Sequence, residues 1–92
     1  MTPSEFRALA AAPSGASDAL TALWQDANTS WTAAHDTLQD DNTAEGAWVH
    51  AYLHRKEGDL PNAAYWYRRA GKPVFSGPLD AEWRQIATEL LG

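Results

Sequence analysis

Apolar residues in this chain recur with the period of a helix. Trp31, Ala34 and Leu38 stand at i, i+3 and i+7, which places them on one stripe of a helix that begins after Ser30. Leu60, Ala63, Ala64, Tyr67 and Ala70 make a second buried stripe, and Trp83, Ile86, Ala87 and Leu90 a third. No stretch alternates with a period of two over a useful length, and β-branched residues are few, so no sheet is predicted.

The residues between these stripes divide the chain into about six short helices. Thr2, Pro3 and Glu5 supply a hydroxyl cap, a proline in the first turn and a carboxylate for a first helix that runs to about Ala12. Pro13, Ser14 and Gly15 break it. Ser17 or Asp18 then caps a second helix, carrying Leu20, Leu23 and Trp24 and ending near Asn28. Asp40, Asp41 and Asn42 stop the third. Asn42, followed three residues later by Glu45, is a capping-box arrangement that opens a fourth helix from Ala44 to Glu57, with Gly58 as its left-handed terminator. Asp59 caps the fifth, which tolerates Pro61 in its first turn and ends at Gly71 and Pro73. Residues 72–78 read as an irregular crossing anchored by Val74 and Phe75, and Asp80 as the cap of a final amphipathic helix. The reading is all-α: one domain over residues 1–92, too short to divide into two stable cores.

Sliding the chain against itself by 29 positions brings Trp31 onto Leu60, Ala34 onto Ala63 and Leu38 onto Tyr67. Two helical hairpins, over residues 18–41 and 44–71, are therefore related by an approximate repeat. In the second, Gly58, Asp59, Leu60, Ala63, Tyr67 and Ala70 resemble the turn and second helix of a tetratricopeptide repeat, and AYWYRRAG, residues 64–71, is similar to the second helix of a Sel1-type repeat. The block HAYLHRKEGD followed by YWYRRAG also resembles a group of short uncharacterised bacterial proteins, over about residues 18–91. That resemblance implies a helical hairpin fold and brings no activity with it. His50 and His54 depart from the repeat pattern, which prefers Leu and Tyr there, and the first unit lacks the Gly-Asp turn.

Composition narrows the function classes. A net charge of -5 repels a phosphate backbone, so nucleic acid is not an expected partner. Without cysteine there are neither disulfides nor thiolate ligands. No run approaches the roughly 18 apolar residues of a membrane span, and the N-terminus does not read as a signal peptide, so the expected location is cytoplasmic. Residues 1–54 hold one base, Arg7, against seven acids, whereas residues 55–92 hold six bases against five acids. Arg55, Lys56, Arg68, Arg69 and Lys72 fall near predicted helix C-termini, where cations oppose the helix dipole; anion binding or head-to-tail assembly is the alternative use.

The chemistry centres on histidine. His50, His54 and Glu57 lie at i, i+4 and i+7 and project from one face of the fourth helix, a spacing that suits a shared divalent metal ion or a proton relay. No glutamate follows the first histidine, so the helical metalloprotease signature is absent. His35, with Asp36 beside it and Gln39 one turn on, can join them if the third and fourth helices pack as consecutive repeat helices do. The metal set would then be His35, His50 and His54, with Glu57 or Asp36 as general base or supporting carboxylate. Packed or solvated imidazoles with neighbouring hydrogen bonds are the plainer alternative.

Tyr65, Trp66 and Tyr67 spread over about 200° of helix circumference, so at least one of them faces outward or across an interface. Trp66 shares its face with Asn62 and Arg69, a stacking plane, an amide and a guanidinium that suit a protein partner, self-association or a small anion. No nucleophile elbow, phosphate loop, paired cysteine ligands or calcium loop is present. The sequence therefore supports a helical interaction or scaffold module first, and a histidine-lined small-molecule or metal site second.

Overall fold

A computed structural model describes residues 1–92. It contains six helices and no strand: α1 (Pro3–Arg7), α2 (Asp18–Asn28), α3 (Trp31–Thr37), α4 (Ala44–Glu57), α5 (Leu60–Ala70) and α6 (Leu79–Leu91). Local chemistry explains most of the boundaries. Ser17, Ser30 and Asp59 each accept a backbone N–H of the first turn they open, and Gly58 and Gly71 close α4 and α5 at φ of 90° and 70°, a region that a side chain disfavours.

Three expected boundaries shift, each for an identifiable reason. The first helix stops at Arg7, well before Ala12. Asn28 Nδ2 donates to the carbonyl of Arg7, the acceptor that the next turn of α1 would have used, and Trp24 Nε1 donates to that of Leu9, which Pro13, lacking an N–H, leaves without a helical partner. Thr43, not Asn42, caps α4. Its hydroxyl accepts the N–H of Gly46 while donating to Asp41 Oδ1 at 2.6 Å. The last helix starts after Pro78 with no side-chain cap; Asp80 lies inside its first turn and pairs with Arg84 and Arg7 instead.

The helices form two hairpins, α2 with α3 and the more extensive α4 with α5. The hairpins meet where α2 and α3 touch α4, and α6 lies across α4 and α2. One core draws on all six: Phe6, Ala19, Ala22, Leu23, Ala34, Val49, Ala51, Leu53, Ala63, Tyr67, Trp83 and Ile86 are among its buried residues. Small side chains at Ala51 and Ala63 admit the close approach of α4 and α5. Leu60 departs from the expected buried stripe of α5. It is 61% exposed, while Ala64 and Ala70 are only half-buried, leaving Ala63 and Tyr67 as the inward pair.

α4 is the central element, with every residue from Gly46 to His54 buried. Charges at its C-terminal end tie it to its neighbours. Lys56 and the Tyr52 hydroxyl both donate to Asp26 of α2 at 3.0 Å. Arg55 donates to Glu82 of α6 at 3.0 Å and to the carbonyl of Gly77 in the crossing segment. Glu82 is buried and also accepts from the Tyr67 hydroxyl. Burial raises its carboxyl above the usual range, against the opposing pull of Tyr67 and Arg55. No helix is long and apolar enough to cross a membrane.

Candidate functional site

The seam between the two hairpins carries the histidines. Ser30 opens α3 so that Trp31 and His35 share a face one turn apart, and their rings stack at 4.8 Å and 9°. The Trp31 Nε1–H donates to the carbonyl of Leu53 on α4 at 2.7 Å, which draws α3 against the helix that holds the other two imidazoles. His50 and His54, a turn apart on α4, stack at 5.0 Å and 14°. His35 meets both edge-on, at 4.7 Å from His50 and 5.3 Å from His54. One nitrogen from each of the three rings lies within 4.8 Å of the other two.

Each ring also has a neighbour outside the trio. His35 rests on Trp31, and His50 lies against the Trp66 indole of α5 at 3.9 Å. His54 Nδ1 lies 2.6 Å from Glu57 Oε2. A carboxylate only accepts, so Nδ1 carries a proton, and in the neutral ring the lone pair is then left on Nε2. The nitrogens of His35 and His50 find no hydrogen-bond partner in the protein, and neither residue has a nitrogen that is fully enclosed. They open onto a shallow cleft of about 560 Å³ lined by the three histidines with Gln39, Asp40, Asn62 and Trp66.

Electrostatics favour the neutral ring at the centre of the group. Burial, then the neighbouring His35 and His54 and the charge of Arg69, push the His50 imidazole down to about 4. A neutral imidazole is the form that donates a lone pair.

Of the residues singled out in the sequence, His35, Gln39, His50, His54, Asn62 and Trp66 come together around the cleft. Glu57 stands behind His54 without lining it. Asp36 is exposed on α3 and takes no part in the cleft. Arg69 is exposed and sits over the Trp66 ring at 5.0 Å and the Tyr65 ring at 5.9 Å, outside the cleft lining. Sequence reasoning overlooked Trp31 and Asp40 as members of the site. The i, i+4 spacing of Trp31 and His35 carried the signal for the first. Asp40 had none beyond its position just after Gln39.

A second group, His54, Glu57 and Asp59, also gathers potential ligand atoms. Its two carboxylates are exposed, and Asp59 is already engaged as the cap of α5. No family model, curated protein or solved structure matches the chain.

Proposed function

We propose that the chain binds a divalent transition-metal ion through His35, His50 and His54 and keeps one coordination position open to the cleft. The observation that carries this reading is the mutual approach of three imidazole nitrogens within 4.8 Å, two of the rings having no other polar partner. Zinc bonded to nitrogen at about 2.1 Å in a tetrahedron sets its ligands about 3.4 Å apart, so binding draws the three rings inward from their present separation. Three neutral nitrogens without a thiolate suit zinc, copper(II), nickel(II) or cobalt(II) more than magnesium or calcium. Glu57 fixes the His54 tautomer as a supporting carboxylate does in metal sites.

Calorimetric titration of the metal-stripped chain with zinc tests this. One ion per chain is the expected stoichiometry, with alanine at any of the three histidines weakening affinity by about tenfold or more. Absence of saturable binding, or binding indifferent to all three substitutions, would sink the reading.

A second reading, a tetratricopeptide-like interaction module, is supported by the two hairpins and by an apolar groove. Leu60 and Val74, 61% and 64% exposed, flank it, and Ala63, Tyr67, Phe75 and Leu79 line it. Exposed Tyr65 and Arg69 add a cationic aromatic patch on α5. Sedimentation of the wild type against a Leu60→Ser, Val74→Ser double variant tests self-association through that groove; a concentration-independent monomer in both counts against it.

A further inference from the structure

Beyond the imidazoles, the cleft wall consists of Gln39 and Asp40, just past the end of α3, and Asn62 and Trp66 on α5. No lysine or arginine lines it, and Asp40 is its one carboxylate. A divalent ion on three neutral imidazoles brings two positive charges; Asp40 in the wall and Glu57 behind His54 offset both, and Arg69 over Trp66 restores one. The remainder matches a singly charged anion. A phosphate dianion would overshoot that balance and would find no guanidinium fork to hold its oxygens.

The two carboxamides have unspent hydrogen-bonding capacity. Gln39 is exposed and its side chain bonds to nothing in the protein. Asn62 Nδ2 makes one long bond, 3.4 Å to Asp59 Oδ2; its 3.5 Å approach to His54 Nδ1 meets a nitrogen that already carries a proton, and its Oδ1 is unpaired. Carboxamide N–H groups are suitable donors to a carboxylate oxygen that a metal leaves free. A space of about 560 Å³ takes a ligand of a few carbons together with water.

We propose that the open coordination position receives the carboxylate of a small monocarboxylic acid, one oxygen on the metal ion and the other hydrogen-bonded by Gln39 and Asn62. This inference rests on the metal-binding reading. Gln39 and Asn62 are positioning residues for the ligand and contribute nothing to metal affinity.

The test uses the full chain loaded with one equivalent of cobalt(II), whose visible spectrum reports coordination directly. Acetate, inorganic phosphate and acetamide are titrated in turn at pH 7 and constant ionic strength. Acetate should change the spectrum saturably and bind at least about tenfold more tightly than phosphate or acetamide, and the Gln39→Ala, Asn62→Ala double variant should lose about that factor while binding cobalt as before. Should the double variant fail to fold, Gln39→Ala alone carries the comparison, because that side chain is exposed and unbonded. A normal cobalt spectrum that acetate leaves unchanged, phosphate binding as tight as acetate, or unaltered acetate affinity in the variant overturns the inference and leaves metal binding standing. Absence of any cobalt spectrum overturns both.

Discussion

His50 and Trp66 lie ring on ring, with centroids 3.9 Å apart and planes 9° from parallel. Stacking places one face of the imidazole against indole carbon, so water reaches the ring only from the cleft. Removing Trp66 would rehydrate that face and free the ring to turn.

The pH dependence of stability follows from this burial. In the unfolded chain His50 takes up its proton near the ordinary ~6.5, whereas in the folded chain it does so only near about 4. Between these values the unfolded state binds more protons, so stability falls as pH falls through the window and is unaffected by this group above it. The full loss is about 3 kcal/mol. Urea unfolding with chelator present, at steps from pH 7 to pH 4, should show this decline, and His50→Gln should flatten it. Equal slopes in the two proteins would mean that His50 does not control the transition.

Glu57→Gln should weaken zinc binding by about 10- to 100-fold, through loss of the charge that holds the Nδ1 proton of His54. The Glu57 side chain is 39% exposed, so thermal stability without metal should change by less than about 0.5 kcal/mol. Calorimetry and thermal melts on the same samples separate the two effects. Unchanged affinity would assign the 2.6 Å contact to surface pairing alone.

The Arg55 and Glu82 pair joins α4 to α6 from within, with side chains 16% and 1% exposed. Arg55→Met leaves Glu82 buried without its cation and should cost about 3–5 kcal/mol. Adding Glu82→Leu should recover much of that loss, because it removes the stranded charge. A double variant no more stable than Arg55→Met in denaturant unfolding would show that the arginine acts through its hold on Gly77 and Phe75 instead.

Gly46→Ala should destabilise the chain, although alanine in an unconstrained helix interior gains about 1 kcal/mol over glycine. A Cβ at Gly46 would run into the Asp41 carboxylate, which accepts from both the N–H and the hydroxyl of Thr43. Displacing Asp41 disturbs the α4 cap, at a cost of about 1 kcal/mol beyond the propensity gain. A higher melting temperature in the variant would contradict this account.

The legible parts of the fold were those decided within a few residues. Ser17, Gly58 and Asp59 act on backbone groups next to them, so the start of α2, the end of α4 and the start of α5 could be read directly. The end of α1 could not, because it depends on Asn28 and Trp24 reaching back from α2. Glu82 reads as an ordinary acid in the first turn of a helix; only the packing of α6 over α4 buries it. At the candidate site, the shared face of His50 and His54 followed from their spacing, but the place of His35 beside them required knowing how α3 meets α4. Trp31 makes that meeting specific through a bond to Leu53 that no local pattern encodes.

The enclosure of α4 from Gly46 to His54 sets how this molecule can vary. Over that stretch the helix has no outer face and no position where substitution goes unfelt; its tolerant positions are at the ends, Ala44, Glu45, Lys56 and Glu57, all exposed. Amide protons along α4 should be the last to exchange with solvent, released only when the whole chain opens. His50 and His54 are therefore mounted on backbone expected to open only with the whole chain, while the orientation of their rings rests on Trp66 and Glu57.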